Sequence, residues 1–128
     1  IACFLNALAV VDAIRQGNDD LLIVCSGSNG ELALEDLYCA GLIVDRLADS
    51  GETELTDAAL LSRLAYLNLA KDHLAQALAE TDHGRRLVQL GMEEDIIYCA
   101  QEGILPLVPI YSTRDHATPS LSRGLYFG

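Results

Sequence analysis

Basic residues are scarce in this chain of 128 residues: eight Lys and Arg stand against 19 Asp and Glu, a formal net charge of −11. A surface of that sign repels a nucleic-acid backbone and an anionic membrane, so neither is expected as a partner. The four cysteines, Cys3, Cys25, Cys39 and Cys99, form no CxxC pair, which argues against a zinc site. Each sits in or beside an apolar run, where a small buried residue in a reducing cytosol is expected. A signal peptide and an apolar stretch of membrane-spanning length are both missing, so the expected location is cytoplasmic. No strand is followed by GxGxxG and a later ribose-binding acid, which leaves a dinucleotide enzyme without its fingerprint. A small anionic ligand stays open, because a site's field comes from a few Arg, His and N–H groups plus any metal.

Strands are also few. Residues 21–25, Leu-Leu-Ile-Val-Cys, read as one clear strand, apolar on both faces as in a parallel sheet covered by helices. Ile1 to Leu5, with no Met before them, read as a strand entered midway. Residues 105–111 resemble a third, but Pro106 and Pro109 each remove an amide donor and confine it to an edge or to irregular structure.

Helical spacing is plentiful by comparison. Asn6 caps a helix bearing Ala7, Val10, Val11 and Ile14, which Gly17, Asn18 and Asp19 close. Leu34, Leu37, Tyr38, Gly41, Leu42, Asp45 and Leu47 trace a second that ends at Gly51, with Ala40 and Gly41 small enough for close approach to a sheet. Thr56 or Asp57 starts a third with Leu60, Leu61, Leu64 and Leu67 on one face, and its phase slips near Asn68 to Asp72. Leu74, Ala77 and Leu78 mark a fourth. Asp82 caps a short helix from His83 to Leu90, stopped by Gly91, and Glu93, Glu94 and Asp95 open a sixth.

At 51% apolar residues the chain can form one core, and it is too short for two ordinary domains. Three strands are too few for six helices, and a strand apolar on both faces needs neighbours on both sides. The expectation is therefore an α/β domain over 1–111, completed by sheet from a longer protein or from a homo-oligomer, with a loosely ordered tail over 112–128.

The chemistry concentrates where the clear strand runs into Ser26-Gly27-Ser28-Asn29-Gly30 and then a helix start carrying Glu35 and Asp36. A strand feeding a Gly-rich loop and a helix presents unpaired N–H groups to an anion. Ser26, Ser28 and Asn29 add donors, and Gly27 and Gly30 permit positive φ. An ordinary βα turn is the alternative. The loop lacks the Lys of a Walker motif, which argues against nucleoside triphosphates. Two carboxylates beside an anion make sense with a hard cation such as Mg²⁺ between them. Adjacent helical residues diverge by about 100°, so one of the pair is a ligand candidate and the other supports it. Otherwise both merely complement the helix dipole, for about 0.3–1 kcal/mol each. At a later helix start Arg85 could hold an oxyanion bidentately and His83 could donate a proton. The plainer reading makes His83 a cap and pairs Arg85 and Arg86 with surface acids. Asn6 is either a plain cap or a ligand amide. His73 and His116 have no partner motif.

In series, Phe4-Leu5-Asn6-Ala7, the loop 25–30, Leu34-Glu35-Asp36 with Cys39-Ala40-Gly41, His83-Gly84-Arg85, Leu90-Gly91 and Pro109 resemble the 2-phosphosulfolactate phosphatase family, the Mg²⁺-dependent ComB-type enzymes. Ala2-Cys3 stands before Phe4 where the resemblance leads one to expect Gly-Ser. It implies a three-layer α/β/α ComB-like fold, of which this chain is a C-terminal portion, the missing N-terminal half adding acidic and Gly-rich motifs. It implies hydrolysis of 2-phospho-3-sulfolactate to 3-sulfolactate and phosphate, and through that substrate a place in coenzyme M biosynthesis. Asn6, Ser26, Gly27, Ser28, Asn29, Gly30 and Arg85 would bind substrate, Asp36 and Glu35 would hold Mg²⁺, and both acids with His83 would serve catalysis. A non-catalytic anion-binding α/β module, or an inactive fragment, would keep the loop and dispense with the metal.

Overall fold

Helical spacing becomes helix six times in a computed structural model that describes residues 1–17, 19–49 and 53–111. The helices are α1 (Ala7–Ile14), α2 (Leu34–Ala48), α3 (Asp57–Ala65), α4 (Leu74–Ala79), α5 (Asp82–Gln89) and α6 (Glu93–Cys99). A 3₁₀ turn, Phe4–Asn6, precedes α1, and a π-helical turn, Tyr66–Ala70, follows α3. Asn18, the expected stop at Gly51 and the expected tail 112–128 lie outside the described residues. No helix among the described residues is long and apolar enough to cross a membrane.

The core forms around α2. Tyr38, Leu42 and Ile43 pack with Phe4, Ala7 and Val11 and with Tyr66, Ala70, Leu74, Ala77, Leu78 and Ile96. A fully buried side chain such as Leu42 contributes about 1.5–3 kcal/mol. Gly41 makes its close approach to α3, not to a sheet: a Cβ there would overlap the Ser62 carbonyl and lie 2.7 Å from the Tyr66 Cβ. That contact decides which face of α3 is buried. Ser62, Tyr66 and Ala70 turn inward, whereas Leu60, Leu61 and Leu64 are exposed, which corrects the expected leucine face. The phase slip has a physical form, since the Lys71 N–H donates to the Tyr66 carbonyl at 2.8 Å, an i to i+5 bond that adds one residue to the turn.

Two polar links accompany this packing. Asp45, only 4% exposed, is held by Arg63 Nε at 2.9 Å, as a buried carboxylate requires. The Tyr66 hydroxyl donates to Glu102 Oε1 at 2.8 Å, and burial together with that carboxylate pushes the phenol pKa upward.

The expected strands do not form among the described residues. Residues 21–25 make no backbone hydrogen bond to another described residue, and Leu22 and Val24 stand 83% and 79% exposed. The described residues contain one isolated antiparallel bridge, Ser28 to Glu31, and no sheet, so a three-layer α/β/α arrangement is not seen. A strand has no stability without a neighbour to take its hydrogen bonds, and the described residues contain none. Residues 1–5 and 103–109 are instead joined to each other. Gly103 and Leu105 N–H donate to the carbonyls of Phe4 (2.9 Å) and Leu5 (2.8 Å), and the Ile1 amino group donates to Pro109 O at 2.7 Å. Because these runs are uncovered, Cys3 and Cys25 are exposed, as is Cys99, and Cys39 is half-buried. All four are free, which corrects the expectation of four buried thiols.

Candidate functional site

Residues 26–31 fold more tightly than an open cradle. Asn29 and Gly30 both have positive φ, 53° and 83°, and Ser28 and Glu31 exchange backbone hydrogen bonds at 3.0 and 2.9 Å. This is a two-residue turn of the kind that Asn-Gly favours. Gly27, with φ 70°, sits where a Cβ would lie 2.5 Å from the Glu31 carbonyl oxygen. The Gly27 N–H donates to Asp36 Oδ2 at 2.8 Å, and Ser26 Oγ donates to the same oxygen at 3.2 Å. The N–H groups of Gly27 and Ser28 are thus satisfied within the protein. Ser28 and Asn29 of this turn line a cleft.

Across that cleft lies the start of α5. Thr81 caps it, one residue before the expected Asp82: the buried Thr81 Oγ1 accepts from Gly84 N–H at 2.9 Å and donates to Leu78 O at 2.8 Å. Gly84 packs on α4 so closely that a Cβ would overlap the Leu78 carbonyl. With Gly84 inward, His83, Arg85 and Arg86 line the cleft. Gly91 then ends the helix at φ 73°, with Gly91 N–H donating to Val88 O and Met92 N–H to Leu87 O, each at 3.0 Å.

The cleft, about 360 Å³, brings together Ser28, Asn29, Glu35, His83 and Arg85 of the residues singled out by sequence. Glu31, Glu80, Asp82 and Arg86 join them. Sequence reasoning passed over Glu31, although the Asn29-Gly30 pair is a hairpin signal that folds Glu31 back beside Ser28. Arg85 donates to the Glu80 carbonyl and the Asp82 carboxylate, whereas Arg86 has no ion pair among the described residues. Asp36 does not line the cleft, and neither does Asn6. The Asn6 side chain makes no capping bond to α1 and acts as a clasp. Its Oδ1 accepts from Cys3 N–H at 2.8 Å, and its Nδ2 donates to the carbonyls of Ile1 and Leu107 at 3.2 Å each.

Four carboxylates line the cleft against two guanidiniums and one imidazole, so its field is unfavourable to a bare dianion unless a cation lies between. No group of three or more His, Cys, Asp or Glu among the described residues could cage a metal. Glu31 and Glu35 line the cleft, and their carboxylates have no hydrogen bond or ion pair among the described residues. Mg²⁺ takes one or two carboxylates and completes its shell with water and phosphate oxygens. Glu31 and Glu35 are the carboxylates at this cleft that could enter such a shell. No cysteine lines the cleft. Burial, with smaller contributions from Cys3, Asp36, Cys25 and Glu102, pushes the Cys39 thiol up to about 12.

The family model described as 2-phosphosulpholactate phosphatase matches residues 1–114. The chain belongs to the 2-phosphosulpholactate phosphatase family. Curated relatives named "Probable 2-phosphosulfolactate phosphatase" include one from Pseudothermotoga lettingae, 39% identical over 86% of this chain and 47% of the relative. One from Symbiobacterium thermophilum is 35% identical over 88% and 48%, and one from Clostridium novyi is 31% identical over 85% and 46%. The chain spans about half the length of the curated relatives it matches. Both the Ser28–Glu31 turn and the start of α5 fall inside the region that the 2-phosphosulpholactate phosphatase model covers.

Proposed function

We propose that the complete protein hydrolyses 2-phospho-3-sulfolactate to 3-sulfolactate and phosphate in a Mg²⁺-dependent reaction. The observation that carries this reading is the meeting of Ser28, Asn29, Glu35, His83 and Arg85 at one cleft in a chain of this family. Ser28 Oγ and the Asn29 amide donate to phosphate oxygens. Arg85 and Arg86 neutralise the phosphate and sulfonate charges that the substrate carries together. Glu35, with Glu31, would hold Mg²⁺; when bound, the ion screens the phosphate and lowers the pKa of a water. In the hydrolysis a water oxygen bonds to phosphorus, the ester P–O bond breaks, and His83 supplies the proton that the leaving alkoxide takes up. The acid excess of the cleft favours this reading over a metal-free anion-binding module. We further propose that the remainder of the relatives' length supplies strands beside residues 21–25, completing a three-layer α/β/α fold.

The test is phosphate release by the complete protein from 2-phosphosulfolactate and from generic phosphomonoesters, with and without EDTA. Chelation abolishes turnover and Mg²⁺ restores it, and Glu35→Gln lowers kcat/KM by on the order of 10²-fold with little change in Tm. Full turnover in chelator removes the metal from the proposal.

A further inference from the structure

We propose that Asp36 is a positioning residue that clamps the Ser26–Gly27 turn, rather than a metal ligand or a group that touches substrate. This rests on the reading of the cleft as a phosphatase site. The two acids that open α2 face different surroundings. Glu35 lines the cleft, and its carboxylate has no hydrogen bond or ion pair among the described residues. Asp36, about 100° round the helix, turns one oxygen to the Gly27 N–H at 2.8 Å and the Ser26 hydroxyl at 3.2 Å. Asp36 also contributes to raising the Cys25 and Cys39 thiols, neither of which lines the cleft.

The clamp matters because the segment it holds leads straight into the turn that presents Ser28 and Asn29. Gly27 is fixed by its contact with the Glu31 carbonyl, and Ser28 is locked to Glu31 by two backbone hydrogen bonds. The Ser26–Gly27 end of the turn is anchored through the Ser26 hydroxyl and the Gly27 N–H themselves, whether or not residues 21–25 pair with a neighbouring strand. Asp36 supplies that anchor from the rigid first turn of α2. A helix-dipole role alone would need neither the hydroxyl of Ser26 nor the bond from Gly27.

Asparagine separates the two roles of a carboxylate here. Its amide oxygen can accept both hydrogen bonds, but it carries no charge and is a poor Mg²⁺ ligand. The experiment compares Asp36→Asn, Asp36→Ala and Ser26→Ala in the complete protein. It measures kcat and KM for 2-phosphosulfolactate and amide hydrogen exchange at Gly27 and Ser28. Asp36→Ala is expected to lose on the order of 10²-fold in kcat/KM, the cost of about 1 Å of misplacement, and to expose both amides. Asp36→Asn is expected to recover at least about tenfold of that loss and to keep the amides slow, with Ser26→Ala falling between them. If Asp36→Asn is as inactive as Asp36→Ala while the Gly27 amide stays protected, Asp36 acts through its charge and the clamp is overturned. Should Asp36→Ala fail to fold, Asp36→Asn and Ser26→Ala still decide between the two outcomes. A wild-type protein that releases no phosphate overturns the functional reading instead, and the exchange data then judge the clamp alone.

Discussion

A single thiol illustrates how surroundings outweigh residue type. Cys39 lies on α2 half-buried, and desolvation is the main cause that lifts it from 9.0 to about 12. A rise of that size leaves about a thousandfold less thiolate at any pH below both values, and the thiolate is the species that alkylates. In the native protein, iodoacetamide at pH 8 should therefore modify the exposed Cys3 and Cys99 well before Cys39, which should label only on denaturation. Uniform labelling of all four would place Cys39 in the open. The sequence offered little guidance at this scale, because proximity to apolar runs suggested that all four were buried. Three of those positions are exposed, and the exposure depends on what covers each run. Asn6 was equally hard to read. Its place before a helix suggested a cap, but its partners include Leu107, and such a distant contact leaves no local pattern.

Elements were easier to read than residues. The first four helices follow from apolar residues recurring every three or four positions and the last two from their start and stop signals, and the slipped phase after Leu67 corresponds to the π turn. The buried face of α3 could not be read this way. Hydrophobicity favoured the leucines, yet Gly41 admits only the Ser62 and Tyr66 side, and shape prevailed. The start of α5 carries its own prediction. Thr81 is buried and satisfies one donor and one acceptor at once, so Thr81→Ala should cost about 1–2 kcal/mol, and Thr81→Ser should recover most of it. Asp82→Ala removes an exposed ion pair with Arg85 and should cost less. Denaturation midpoints of the three variants check the order. A larger loss for Asp82→Ala would return the cap to Asp82.

For the whole molecule, the question is what stands beside residues 21–25. Burying a leucine or valine contributes about 1.5–3 kcal/mol, and Leu22 and Val24, at 83% and 79% exposed, forgo most of it. The backbone of the same segment has no hydrogen-bond partner among the described residues. A sequence apolar on both faces, with neither face covered among the described residues, is what the proposed sheet would have to explain. The sequence suggested a central strand, since uninterrupted apolarity signals burial on two sides, but among the described residues the run is neither paired nor covered. The neighbours themselves were not legible, because a strand records in its own residues that it is covered and not by what. The relatives are about twice as long as this chain, and the proposed sheet makes a direct demand on the complete protein. Amides of residues 21–25 should exchange at least about a hundredfold more slowly than free chain, as an opening free energy near 3 kcal/mol requires. Leu22→Lys should abolish that protection and lower Tm, whereas Leu61→Lys, on the exposed face of α3, should leave it intact. Exchange at free-chain rates throughout 21–25 in the complete protein would leave the strand without neighbours and remove the three-layer fold from the proposal.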